Sequence, residues 1–164
     1  MIKQFQIQFE PMNLGSHHLE FQADQDLFKR MGNDEVLSAD VVIDVDLNKS
    51  ANMMDLRITY EGQIELPCDR CNEGLYIPLK EKGKLIVKYG QVEHEEIDDL
   101  LILDDSEHIL DLEAYFYESL SLMIPQRKVH DEADCDPDVL KVLRDLKVEN
   151  ENKIDPRWEG LKEI

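Results

Sequence analysis

Val41-Val42-Ile43-Asp44-Val45-Asp46-Leu47, then Asn48-Lys49-Ser50-Ala51-Asn52, then Met53-Met54-Asp55-Leu56-Arg57-Ile58-Thr59-Tyr60-Glu61: this stretch decides the fold. Val41, Ile43, Val45 and Leu47 alternate with polar or smaller residues, and after the break Met54, Leu56, Ile58 and Tyr60 do the same. A period of two belongs to a strand with one dry and one wet face. The intervening Asn, Ser and Asn are residues that turns favour. The expectation is an antiparallel hairpin pairing 39–47 with 53–61.

Working outward, Phe5, Ile7 and Phe9 alternate in the same way, as do Leu19 and Phe21, with a turn at Met31-Gly32-Asn33-Asp34. Downstream, Leu75, Ile77, Leu79, Leu85, Val87 and Tyr89 all fall on odd positions. They predict one long strand in continuous register, with Pro78 at a sheet edge and Gly83 at a bend or bulge. Its even face carries Lys80, Lys82, Lys84 and Lys88. That stripe reads either as a phosphate-contacting ridge or as a solvated face whose lysines discourage edge-to-edge association. A further strand is expected at Ile97 to Leu103.

The period then changes. Asp111 is placed to cap a helix over 112–123, in which Leu112, Phe116, Leu120 and Met123 recur every three or four residues until Pro125 stops it. Asp136-Pro137 starts a second helix over 137–146 bearing Leu140, Leu143 and Leu146. The polar run from Lys147 to Lys153 reads as a linker. Asp155-Pro156-Arg157-Trp158 with Leu161 follows, either docking to a partner or packing on its own domain. The fold class is α+β: a mainly antiparallel sheet or partly open barrel with C-terminal helices packed on it. Residues 1–146 form the β-rich domain and 147–164 the linker and docking tail.

Composition narrows the function. With 18 basic against 37 acidic residues the formal charge is -19, which opposes unspecific attraction to phosphate backbones or anionic membranes and favours basic partners. No apolar run approaches the roughly 20 residues that span a bilayer, and the first residues lack a leader pattern. Three cysteines are odd in number and too few for a disulfide scaffold, so a cytoplasmic protein with reduced thiols is expected and no membrane partner.

Catalytic signatures fail in turn. Asp131-Glu132-Ala133-Asp134 spells a helicase box without the phosphate loop such a motor needs. His94-Glu95 is followed by Asp98 where a zinc protease requires its second histidine. The seven glycines are ungrouped, so no nucleotide cradle is available, and no Gly-x-Ser-x-Gly elbow occurs.

What remains is Cys68-Asp69-Arg70-Cys71, between two alternating runs. Two thiols at this spacing can share a metal, form a redox-active disulfide or simply fill a turn. With His130 and Cys135 they make a candidate set of three thiolates and an imidazole suited to zinc. The redox reading needs a depressed thiol pKa. Arg70 is the only nearby cation, while Asp69 and Glu73 act against it.

Leu66-Pro67-Cys68-Asp69-Arg70-Cys71, Ile124-Pro125 with Val129-His130-Asp131 and Cys135, and the closing Asp155-Pro156-Arg157-Trp158 with Leu161 resemble the YceD family, the large ribosomal RNA subunit accumulation proteins. The resemblance runs from about residue 60 onward. It implies a non-enzymatic bacterial cytoplasmic factor supporting synthesis, processing or stability of 23S ribosomal RNA. Many family members carry further cysteines near the C-terminus, where this chain has Cys135 alone, so a metal site here depends on His130. The family role and the acidic charge together suggest ribosomal precursor particles, a basic ribosomal protein or 23S ribosomal RNA as partner. Arg70, Lys80, Lys82, Lys84, Lys88, Arg157 and Trp158 are the candidate contacts. The alternatives are a thiol-dependent redox or metal-sensing protein and an acidic interaction module.

Overall fold

The computed structural model describes residues 4–90, 99–104 and 106–147. In chain order these form β1 (Gln6–Gln8), β2 (Gly15–Asp24), α1 (Gln25–Arg30), β3 (Ser38–Lys49), β4 (Met53–Pro67), β5 (Gly74–Tyr89), β6 (Leu100–Leu103), β7 (Ile109–Asp111), α2 (Glu113–Met123) and α3 (Pro137–Asp145). Strands β2 to β6 build one five-stranded sheet in sequence order, and β1 pairs with β7 in a separate two-stranded ladder. The large sheet is open, mostly antiparallel and not closed into a barrel; only β5 and β6 run parallel.

The hairpin is longer than its sequence suggests. Ser38 to Lys49 pair with Met54 to Glu65 without interruption, and the Ser50 N–H donates to the Met53 carbonyl at 2.8 Å to close the turn. Val41, Ile43, Val45 and Leu47 then share one face with Met54, Leu56, Ile58 and Tyr60, and all are buried. Against that face lie β1 and the helices α1 and α2. The Phe116 ring of α2 sits 5.8 Å from Phe5, 5.5 Å from Phe21 and 6.3 Å from Tyr60, so one aromatic side chain joins β2, β4 and the residue that leads into β1.

Gly62 shows why β3 and β4 can approach so closely. A Cβ there would run into the Asp40 carbonyl oxygen, which belongs to backbone and cannot step aside.

Three expectations need correction. Gly83 is neither bend nor bulge: β4 and β5 pair in one register from Met53↔Lys88 to Pro67↔Gly74. A Cβ there would make ordinary contacts with the Tyr60 ring at 3.6 Å and the Tyr115 hydroxyl at 3.7 Å, so the strand has no steric need of glycine at this point. Helix α1 was not expected, although Asp24 caps it by accepting from the Asp26 N–H at 3.0 Å, and Leu27 and Phe28 are buried. Its six residues are too few to show a helical period. Asp111 accepts from the Glu113 N–H at 3.0 Å, yet Leu112 is the cap residue of α2 because Asp111 still pairs with Gln6 in β7.

Pro78 does lie on a free stretch of β5, since β6 covers only Ile86 to Tyr89. Strand β6 starts at Leu100; Ile97 and Asp98 lie outside the described residues, as do His94 and nearly all of the expected linker and tail, Arg157 and Trp158 included. Helix α3 begins as predicted: Asp136 accepts from the Asp138 and Val139 N–H groups at 2.8 and 3.3 Å, with Pro137 in the first turn. None of its residues is buried.

Candidate metal centre

At the far end of the hairpin from the Ser50 turn, β4 and β5 run past the main core. The inward side of β4 reads Ile64, Leu66, Cys68, all buried, so the pleat that supplies carbon to the core supplies sulfur at its tip. The chain reverses over Asp69 to Glu73. The Asn72 N–H returns to the Cys68 carbonyl at 2.9 Å, and Asn72 takes a left-handed φ of 64°, a conformation asparagine accepts more readily than most residues. The Cys68 N–H meets the Glu73 carbonyl at 2.8 Å, which folds Cys71 back beside Cys68.

The segment after α2 closes over this knuckle. The Asp69 N–H donates to the Lys128 carbonyl at 2.6 Å and the Lys128 N–H donates to Asp69 Oδ2 at 2.7 Å, a two-way lock that brings in His130 two residues later. Cys135 enters immediately before α3. The ligand atoms of Cys68, Cys71, His130 and Cys135 all lie within 4.8 Å of one another. The three thiols are free and buried, forming a small second cluster with Leu75, Val129, Val139 and Leu140 around it.

The histidine is oriented for ligation. His130 Nε2 lies 3.0 Å from the Gly74 carbonyl, to which it donates, leaving Nδ1 to face Cys71 Sγ at 3.4 Å. Fixing one ring nitrogen on a carbonyl frees the other for a metal.

The electrostatics agree. Burial pushes the Cys68 thiol up, but N–H donors from Cys71, His130 and Arg70 outweigh it and bring the pKa down to about 6. Cys71 is also lowered, first by the Asp136 N–H at the start of α3. Contact with Cys71 raises His130. Cys135 goes the other way: burial raises it, and the two neighbouring sulfurs add to the effect. Three sulfurs this close resist ionising together unless a cation compensates. Arg70 Nη1 stands 3.7 Å from Cys135 Sγ and supplies part of that compensation. The depressed thiol pKa was hidden in the sequence because backbone amides, not side-chain charges, produce it. The Asp69–Lys128 lock and the Gly74 carbonyl were equally hidden, since each uses a backbone partner that only the fold brings near.

The other candidate contacts do not join this site. Lys80, Lys82 and Lys84 point out from the wet face of the sheet, and Lys88 is half-buried on the same face. Lys80 pairs with Glu61 and Lys84 with Asp55, both at 3.2 Å, while Lys82 has no ion pair among the described residues. Across the face, β2 and β3 present Glu20, Asp40, Asp44 and Asp46, so one half is acidic and the other lysine-rich. Among the described residues no helix is long and apolar enough to cross a membrane.

Comparison with known families matches residues 56–164 to the model for large ribosomal RNA subunit accumulation protein YceD, which covers β4 from Leu56 onward, the knuckle and all four converging side chains. No curated protein and no solved structure matches the chain. The match spans well over half the sequence, and the chain belongs to the YceD family.

Proposed function

From that membership we propose that the chain is a non-enzymatic ribosome-biogenesis factor, supporting synthesis, processing or stability of 23S ribosomal RNA in the cytoplasm. The family match carries the reading, and its name points to accumulation of large-subunit RNA rather than to a reaction. The chemistry of the site is consistent with this. Three thiolates and one imidazole would fill the four positions of a structural zinc site and leave none for a substrate, and the four ligand atoms lie within 4.8 Å of one another. Zinc held by Cys68, Cys71, His130 and Cys135 would supply no catalysis. It would join the Lys128–Asp145 segment to the sheet tip.

The divided outer face suggests how a partner is met. Lys80 and Lys84 are already answered by carboxylates, so an RNA backbone must compete for them, whereas on the acidic half Asp44 and Asp46 share the single exposed His18 and keep a net negative charge toward a basic ribosomal protein. We therefore read the first contact as protein to protein within a precursor particle, with Lys82, Lys88 and Arg70 as secondary phosphate contacts. Crosslinking in cells followed by capture should recover large-subunit proteins and 23S fragments, with the protein contacts surviving ribonuclease. Recovery of neither would overturn the reading. Metal analysis of the purified chain should find one zinc, lost in Cys71→Ser.

A second reading has one observation in its favour, the Cys68 thiol at about 6, which could serve thiol chemistry. Cys68 is only 2 % exposed, however, and slow alkylation in the native protein would exclude it. An acidic interaction module without a ribosomal link would yield the same capture experiment with no ribosomal material.

A further inference from the structure

Between the metal knuckle and β6, the outer edge of β5 has no strand beside it among the described residues, since β6 reaches only Ile86 to Tyr89. Antiparallel pairing turns every second residue of an edge strand away from its neighbour. Which residues these are follows from Ile86, whose N–H leaves β4 and donates to the Asp99 carbonyl at 2.8 Å. In the unbroken register of β4 with β5, Pro78, Lys80, Lys82 and Lys84 turn the same way. The Tyr115 hydroxyl donates to the Lys84 carbonyl at 3.4 Å, and Pro78 has no N–H to leave unpaired. The N–H and carbonyl groups of Lys80 and Lys82 stay open, with no partner among the described residues. Such an edge is a template for an extended peptide.

The two faces of the edge say which peptide. On the outer face Lys82 is exposed and half of no described ion pair, and the Lys80–Glu61 pair beside it is exposed on both sides, so Lys80 can turn to a new carboxylate at little cost. On the inner face a groove of about 450 Å³ lies between β5 and α2, where Leu79 and Met123 line the wall and Leu122 is 86 % exposed. Glu81 also faces this groove and keeps acids out of it. We propose that the β5 edge from Tyr76 to Lys82 receives an extended acidic segment of a partner protein as an added strand, with its carboxylates over Lys80 and Lys82 and its alternate, apolar side chains against Leu79, Leu122 and Met123. A second copy fits poorly. Edge to edge, two copies would set the same lysines against each other, and like charges across a strand pair repel. RNA offers phosphates to the lysines but nothing that answers N–H and carbonyl groups at strand spacing. This surface is separate from the β2–β3 half and does not rest on the ribosomal reading.

Amide exchange read residue by residue by nuclear magnetic resonance tests this on the full-length, zinc-loaded protein. In dilute solution the Lys80 and Lys82 amides should exchange fast, while that of Glu81, which faces β4, stays protected. An excess of a short capped peptide alternating glutamate and leucine should slow Lys80 and Lys82 by about tenfold, and a lysine–leucine peptide should not. Lys82→Glu and Leu122→Ser, both at exposed positions, should keep the circular dichroism of the wild type and weaken that slowing several-fold. Amides already slow in the dilute wild type would overturn the proposal, because the chain then covers its own edge. Slowing that appears only as the protein is concentrated would overturn it by assigning the edge to a second copy, and slowing by single-stranded RNA but not by the acidic peptide would assign the lysines to phosphate instead. An acidic peptide that slows neither amide of the wild type sinks it as well, whether or not either variant folds.

Discussion

The sheet and the thiol cluster are two cores on the same pair of strands, and they are held in different ways. Between Met54 and Leu66 the inward side of β4 meets helix, sheet and aromatic rings on several sides, and apolar burial there is continuous. Two residues further on the same inward row ends at Cys68, where the enclosing layer is one irregular segment and a helix with no buried residue. Apolar area is too small at the tip to fix anything by itself. Sulfur, an imidazole and the reciprocal pair of hydrogen bonds between Asp69 and the Lys128 backbone take over. Where one core depends on area, the other depends on a few directed bonds, so the two should fail separately.

The largest effect should come from Phe116→Ala in the first core. Phe116 is fully buried among Phe5, Phe21 and Tyr60, and its truncation should cost about 3–5 kcal/mol. Urea unfolding followed by circular dichroism checks this, and the whole sheet should melt at lower denaturant. Next comes removal of the metal by a chelator or Cys71→Ser. Here hydrogen exchange should rise across 128–147 while the β3–β4 ladder keeps its protection, and the urea midpoint of the sheet should move less than in Phe116→Ala. If both regions lose protection together, the two cores are one.

Acid should separate them as well. The Cys68 thiol is lowered in the folded state to about 6, so the stability it contributes is present above the ordinary thiol pKa and lost as pH falls through about 6. Protons also compete with metal for His130, whose pKa is raised, and this acts in the same direction on metal retention. Metal content measured after equilibration should therefore drop near pH 6 while the circular dichroism of the sheet persists.

The same division explains what was legible beforehand. Strands β3, β4 and β5 could be read because a long half-buried strand must alternate, and Val41 to Leu47 or Leu85 to Val87 do so. The four ligands could be named from residue type. Their convergence could not, because it depends on Asp69, through its N–H and its carboxylate, exchanging hydrogen bonds with the Lys128 backbone across a long sequence separation. Helix α1 escaped through its shortness. The expected bulge at Gly83 failed because a glycine that pairs in ordinary register, as Gly83 does with Ile58, looks the same in sequence as one that kinks a strand. The ion pairs of Lys80 and Lys84 were invisible until β4 and β5 were in register, since only the folded sheet puts Glu61 opposite Lys80 and Asp55 diagonal to Lys84.

Smaller effects then test how the second core is bolted on and what the outer face does. Asp69→Ala removes the acceptor of the Lys128 N–H and should cost about 1 kcal/mol, seen as faster exchange at 128–130 with the metal still bound. Smallest of all, Lys80→Ala should change stability by no more than about 0.5 kcal/mol, because its pair with Glu61 is exposed on both sides. That near-neutrality makes the face suitable for dissecting contacts without disturbing the fold. Lys82→Glu alters an exposed lysine of the strip that is half of no described ion pair, and Asp44→Asn with Asp46→Asn alters the opposite half. A basic protein partner requires the second change to reduce capture of ribosomal material and the first to leave it nearly unchanged. The reverse ranking would mean that phosphate is the primary contact, and that the lysines exchange Glu61 and Asp55 for RNA on binding.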